Sequence, residues 1–272
     1  VQWLYPRENT GYLSCDLTAR ELDAYLAAAE EKPTAVYLTS PDYLGNMAPV
    51  RALSEVCHRH DVLLLVDNAH GAYLKFLPES QHPMDLGADL CCDSAHKTLP
   101  VLTGGAYLHL SAGMEAAVGD QAKNSLMIFG STSPSYLILQ SLDRANEYLE
   151  TAVGRLSDFA SKAGALKERL TAQGYTLYGQ EPLKITLVTK PFGYRGHALA
   201  DLLREKGIEP EFADRDHLVL MLTPALGMEA LDRVAEVLCG VPPREAIREP
   251  APLFSPAKQV LSVREAMFSP SQ

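Results

Sequence analysis

With 272 residues, 47% of them hydrophobic and 21% charged, the chain has the composition of an ordinary soluble globular protein, long enough for one large domain or a large and a small one. A formal net charge of -10 and a pI near 5.3 argue against nucleic acid or an anionic membrane as the main partner, because both demand basic patches. The aliphatic run VLLLV (62–66) is far too short to span a bilayer and no basic-then-apolar leader opens the chain, so a cytoplasmic protein is expected. Cys15, Cys57, Cys91, Cys92 and Cys239 have neither zinc-ligand nor redox spacing and are expected to be reduced structural thiols. Val1 replaces the usual initiator methionine, which points to processing or truncation.

The first predicted element is a helix from residue 19, where ARELDAYLAAAEEK spaces apolar residues helically behind a Thr18 cap and closes at Pro33. AVYLTS (35–40) reads as a short strand ending in a Ser-Pro turn, and APVRALSEVCHRH as a second amphipathic helix. The continuous run VLLLVD (62–67) is too short for a helix and suits a strand buried on both faces of a parallel sheet. ADLCCDS and GAYLHL repeat the theme, implying βαβ units and helices on both sides of a mainly parallel sheet. Ligands of such sheets sit beyond the carboxyl ends of the strands, where Ser40, Asp67 and Ser94 fall.

Residues 133–174 form one long helical pattern with charges along one face, expected as a solvated linker helix. Beyond it LKITLVTK, HALADLLREKG, IEPEFA, HLVLMLT and MEALDRVAEVL read strand, helix, strand, strand, helix, an order that suits a small α+β domain. VPPREAIREPAPLFSPAKQ looks like an extended connector, and LSVREAMFS begins a further helix. The expected organisation is part of a large α/β domain at 1–145, a linker helix at 146–175 and a small α+β domain at 176–240. A Pro-rich connector and the start of a truncated C-terminal region follow at 241–272.

The stretch DSAHKTLP (93–100) places Lys97 beside a histidine and a near-adjacent serine at the end of an apolar run. Asp67 ends a buried strand, where a carboxylate is costly without a cation or a proton-bearing partner. Ala69 and Gly71 leave room beside it for a flat ring, while His70 alone could equally be a satisfied core histidine. Together with the hydroxyl-rich GSTSPSY downstream, these residues fit pyridoxal 5'-phosphate. That chemistry needs a lysine able to shed its proton and form a Schiff base, favoured by partial desolvation and neighbouring positive charge. It needs an acid on the pyridine nitrogen, and hydroxyl and imidazole donors such as Ser94 and His96 for the phosphate.

TSPDYLGN (39–46), VDNAHGAY (66–73), DSAHKTLPVLTGGA (93–106), STSPSYLILQSLD (131–143) and REKGIEPEFAD (204–214) resemble, in this order, the ornithine/lysine/arginine decarboxylases. The resemblance implies a fold type I architecture: a three-layer αβα large domain of the PLP-dependent transferase kind, mainly parallel, followed by a small α+β domain. It implies Lys97 as the Schiff-base lysine, Asp67 on the pyridine nitrogen, Ala69 on the ring face, His70 lining the pocket, and Ser94 and His96 on the phosphate. Ser131, Thr132 and Ser133 resemble the segment that reaches the cofactor of a neighbouring subunit, implying a homodimer or higher homo-oligomer. The implied reaction is decarboxylation of arginine, lysine or ornithine to a polyamine-type amine. Gly104 stands where the family pattern has glutamine, and a glycine-rich phosphate loop, a ring-stacking histidine and a further C-terminal region are expected beyond the two ends of this chain.

Two other readings stay open. One is a different PLP enzyme of the same fold, a cysteine desulfurase or an aminotransferase, against which TLPVLT and STSPSY count. The other is a catalytically silent chain that acts only as an assembly partner. His58 and His60, spaced by two at a helix end, favour the helix dipole over a metal. Glu209 and Glu211 flank Pro210 and read either as an exposed edge strand or as acids that meet a basic substrate side chain. No Walker loop, GxGxxG after a strand or GxSxG elbow is present.

Overall fold

The computed structural model describes residues 1–5, 17–249 and 258–270; Cys15 and part of the Pro-rich connector lie outside the described residues. Helix α1 (Ala19–Ala28) starts where the Thr18 cap predicts: the hydroxyl accepts from the Glu21 amide at 3.3 Å and the Glu21 carboxylate accepts from the Thr18 amide at 3.0 Å. Strand β1 (Ala35–Thr39), helix α2 (Val50–Arg59) and strand β2 (Leu63–Asp67) follow. Next come β3 (Leu90–Asp93), the single turn α3 (Ala95–Thr98) and β4 (Tyr107–Leu110). The first sheet has the order β1-β2-β3-β4, parallel except for an antiparallel β4. Two 3-10 turns, Ala72–Phe76 and Pro83–Leu86, make the β2 to β3 crossover in place of a helix.

Pleating divides the side chains of this sheet. Leu64 and Val66 are fully buried with Leu22, Leu26, Leu53 and Val56 of α1 and α2, while the opposite face carries Leu65, Asp67 and Cys92 half-buried and Tyr37 at 65% exposure. The expectation that VLLLVD is buried on both faces therefore holds for one face only within the described residues. Asp67 rises on the more open face.

Helix α4 (Ala112–Phe129) leads to α5 (Tyr136–Ala172). The second sheet is antiparallel with the order β5-β6-β8-β7, from β5 (Thr176–Tyr178), β6 (Lys184–Val188), β7 (Phe212–Ala213) and β8 (His217–Met221). Helices α6 (Gly196–Glu205) and α7 (Met228–Gly240) pack on it, and a short α8 (Val263–Phe268) follows. α5 is not the solvated rod its charges imply. Leu149, Ala152, Leu156, Phe159, Ala163, Leu166 and Leu170 recur at helical spacing and are buried, the last five of them in the core of the second sheet.

The two halves meet at Tyr73, which the 3-10 turn after β2 carries into the second core at 1% exposure. Its hydroxyl donates to the buried Glu181 carboxylate and accepts from the Leu183 amide at 3.2 Å. The turn needs Gly71, since a Cβ there would meet Asn68 Oδ1 at 1.9 Å. Gly104, the departure from the family pattern, has φ +97°, a left-handed backbone that glutamine disfavours.

At the end of β3, buried Asp93 accepts from Asn68 Nδ2 at 2.7 Å and lies 3.0 and 2.9 Å from the Nε2 atoms of His82 and His109. Burial works to raise this carboxyl, but the bonds from His109, His82 and Asn68 outweigh it and hold it well below its ordinary 3.8. The network ties β2, β3, β4 and the loop between β2 and β3 at one point. Among the described residues Cys57, Cys91, Cys92 and Cys239 are free thiols. No helix among them is long and apolar enough to cross a membrane.

Tyr73→Phe leaves the buried Glu181 without its donor and is expected to lower the unfolding free energy by about 1–3 kcal/mol; an unchanged urea midpoint refutes the role given to this bond. For Asp93 the folded-state value is depressed, so its contribution is complete above the unfolded value of 3.8 and is lost as pH falls below it. Asp93→Asn should cost roughly 3 kcal/mol at neutral pH and flatten the acid limb of the stability profile. Urea titrations across the acid range test both effects, and parallel acid limbs for the two proteins rule out this source.

Candidate active site

β1, β2 and β3 run parallel in a register that sets Thr39 beside Asp67 and Asp67 beside Cys92, so the three strands end together. The loops that follow therefore converge. Ser40 donates its amide to the Asp67 carbonyl and is itself buried, its hydroxyl accepting from the Ala48 amide, so it acts as a structural residue of the first loop. Asp67 is half-buried; Oδ2 accepts from the Tyr37 hydroxyl at 3.1 Å and Oδ1 from the Ala69 amide at 3.0 Å. These two donors fix the carboxylate plane. Burial, then the charge and hydrogen bond of Asp67, raise the Tyr37 phenol, which keeps it a donor.

His70 is 7% exposed, with Nε2 at 3.2 Å from Lys97 Nζ and Nδ1 at 3.4 Å from Lys184 Nζ. Burial foremost, then the Lys184 and Lys97 charges, push the imidazole down to about 4 against the opposing pull of Asp67, so it is neutral at physiological pH. The Tyr43 ring meets it edge-on with centroids 5.6 Å apart. Lys97 lies in α3 with an exposed side chain, at the mouth of a cavity of about 290 Å³ bordered by Tyr73, Leu99, Leu183 and Met221. The sequence reading expects partial desolvation there. The described residues instead supply neighbouring positive charge without covering the amine.

Ser94 is the N-cap of α3 and makes no side-chain cap bond. His96 Nδ1 lies 3.0 Å from the Gly105 carbonyl and so carries the proton, leaving Nε2 as a donor only in the imidazolium form. Ala69 is half-buried next to Asp67. Ser131, Thr132 and Ser133 are exposed between α4 and α5, with the Ser133 amide donating to the Ser131 hydroxyl at 3.0 Å, and they do not line the cavity at Lys97. Asp67, His70 and Lys97 are thus drawn together at one sheet end, and the hydroxyl segment is not.

Sequence reasoning missed Tyr37, Tyr43 and Lys184. A lysine opening the apolar strand LKITLV is the one visible signal, since a charge in such a strand needs partners when buried. Glu211, which the sequence left between two readings, is exposed and accepts from the Tyr43 hydroxyl at 3.3 Å, whereas Glu209 pairs with Arg204. His58 and His60 pair separately with Asp89 and Asp23, as structural residues.

His82, Asp93 and His109 bring possible metal-ligand atoms within 4.8 Å of one another. The Met84 amide, however, donates to His82 Nδ1, so Nε2 carries the proton and donates to Asp93. The arrangement is that of a carboxylate receiving imidazole donors. It leaves no Nε2 lone pair on His82 for an ion.

The donor set fits pyridoxal 5'-phosphate: a primary amine, an oriented carboxylate, an uncommitted hydroxyl and an imidazole stand at the ends of adjacent parallel strands.

Residues 11–174 match the model of the Orn/Lys/Arg decarboxylase major domain. The uncharacterized protein YaaO of Bacillus subtilis is 33% identical over 208 residues, covering 72% of this chain and 43% of its own length. An arginine decarboxylase of the same organism is 32% identical over 236 residues, covering 80% and 47%. The chain spans about half the length of the curated relatives it matches.

Among solved structures, pyridoxamine-pyruvate aminotransferase from Mesorhizobium loti superposes with a TM-score of 0.66 at 20% identity over 83% of this chain and 63% of its own. Sphingomonas wittichii serine palmitoyltransferase gives 0.63 at 16% identity over 81% and 58%. These likenesses establish the fold as that of the fold type I PLP enzymes, α/β with a mixed, mostly parallel sheet. With a family match across the whole of the first sheet and α5, the chain belongs to the Orn/Lys/Arg decarboxylase family.

Proposed function

We propose that the chain binds pyridoxal 5'-phosphate covalently through Lys97 and, as part of a longer protein, removes the α-carboxylate of arginine, lysine or ornithine to leave the corresponding amine. The observation that carries this is the Lys97 amine held 3.2 Å from the neutral, buried imidazole of His70, at the sheet end that also presents Asp67. When bound, the cofactor supplies a protonated aromatic ring that accepts the electrons released as the carboxylate leaves. Asp67, oriented by Tyr37 and the Ala69 amide, is the group that holds the proton on the ring nitrogen. Ala69 offers a small half-buried surface to the ring, and His70 lines the pocket.

Ser94 and His96 serve the phosphate. With Nδ1–H committed to Gly105, Nε2 is the ring atom of His96 left to face the anion. Lys97 Nζ, with His70 Nε2 beside it, is the group placed to return a proton to the α-carbon.

Ser131, Thr132 and Ser133 belong to a second copy's site in this reading. The same segment is flanked by exposed Leu126, Ile128, Phe129, Tyr136 and Leu137, an apolar patch that favours a homodimer or higher homo-oligomer. Location in the cytoplasm belongs to the same proposal. So does the division into a cofactor-binding part at 1–145, a connecting helix at 146–175, a small α+β part at 176–240 and a connector at 241–272.

The test is absorbance of the purified chain with pyridoxal 5'-phosphate, then borohydride reduction and peptide mapping. The reduced label should lie on Lys97 and be lost in Lys97→Ala. It should persist in Lys75→Ala, because Lys75 is an exposed partner of Asp85. A folded Lys97→Ala chain that retains the specific label refutes the assignment, and carbon dioxide release from the three amino acids then selects the substrate.

A further inference from the structure

The neutral His70 imidazole has one N–H and one lone pair, yet a lysine amine stands at each of its nitrogens, Lys97 at Nε2 and Lys184 at Nδ1. Both cannot donate to it. Which of the two is the donor decides what the ring shows to Lys97.

Lys184 is 4% exposed, and its contacts are those of a hydrogen-bond donor. Its Nζ donates to the Tyr43 carbonyl at 3.0 Å and lies 5.6 Å from the centre of the Tyr43 ring face. Burial foremost, with the Lys97 charge adding to it, lowers this lysine, while Glu181, Asp42 and Glu211 pull the other way. Lys97 has no comparable set; it is exposed, and among the described residues its amine meets His70 alone. The Lys184 amino group, which already donates to a carbonyl and stands over a ring face, is therefore the donor at Nδ1, and the ring's own proton sits on Nε2, facing Lys97 Nζ.

We propose that Lys184, which lies outside the matched major domain, is a positioning residue for Lys97: by donating to His70 Nδ1 it fixes the tautomer whose Nε2–H meets the lone pair of a free Lys97 amine. The proposal rests on the reading of Lys97 as the reactive lysine. An Nε2–H donor stabilises an amine and repels an ammonium, so His70 in this tautomer favours the nucleophilic form. The charged groups facing the pair are Asp67 from β2, Lys97 from α3, Lys184 from β6, and Asp42, Glu181 and Glu211 around Lys184. Removing Lys184 frees His70 to turn its lone pair toward Lys97 and also deletes a nearby positive charge. Both changes favour the ammonium.

The test needs no cofactor. The chain is treated with trace acetic anhydride over the neutral-to-alkaline range, and acetylation of Lys97 is read by peptide mass spectrometry against exposed Lys75 in the same sample. Lys184→Met should move the Lys97 profile to higher pH and slow its acetylation near neutrality about tenfold. Lys75 should not move, and Lys184→Arg should restore most of the reactivity. His70→Gln should reproduce most of the shift and leave Lys184→Met only the smaller effect of the lost charge, which keeps the idea testable if one variant folds poorly.

A Lys97 profile unchanged in a folded Lys184→Met chain, or in His70→Gln, overturns the proposal. Because the readout is the bare amine, a shifted profile in a chain that forms no pyridoxal phosphate adduct refutes the functional reading alone.

Discussion

Tyr73 is the bond on which the arrangement of the two sheets depends. A phenol buried in the second core, donating to Glu181 and accepting from Leu183, pins the loop after β2 to the strand that carries Lys184. His70 precedes it by three positions, so the same anchor fixes where the imidazole stands. Glu181 has Oε2 without a partner among the described residues, and burial raises its carboxyl. The junction is thus a place where polar groups are held in the interior by few bonds, each of them costly to lose.

Around that anchor the first sheet sorts its acids by surroundings. Asp93, one residue before the Ser94 cap, is buried among imidazole and amide donors and is held strongly ionised as a structural tie. Asp67, at the matching end of the neighbouring strand, rises on the more open face, with a phenol and a backbone amide as its partners. Two carboxylates at adjacent strand ends thus have separate work. One holds the loops, and the other faces outward where a ring can reach it.

The fold was legible wherever burial imposes a period. The helical spacing behind Thr18, the aliphatic run before Asp67 and the long helix at α5 all appear in the structure, although the buried stripe of α5 was overlooked behind its charges, and the capping box marks the start of α1 within a residue. Strand direction was not legible, because alternation is the same in parallel and antiparallel pairs; hence the reversed β4. The three-residue β5 and the 3-10 crossover are too short to carry a period. In the site, Asp67, His70 and Lys97 stood out because local residue types mark them. Lys184, Tyr37 and Tyr43 did not, because their meaning comes from partners distant in the chain, as with the 114 positions between Lys184 and His70. The exposure of Lys97 was misjudged for a related reason: what covers a side chain is a property of the surrounding elements, not of its neighbours in sequence.

The span of those bonds also bears on how the protein is made. Tyr73 to Glu181 closes 108 positions, Lys184 to His70 closes 114 and Tyr43 to Glu211 closes 168. Each loop must lose its freedom before the contact rewards it, so such pairs form after local helices and neighbouring strands. On the ribosome His70 and Tyr73 emerge long before the strand that receives them, and through that interval the loop after β2 has no second core to enter. The paired imidazole and lysines then come together only once β6 has docked.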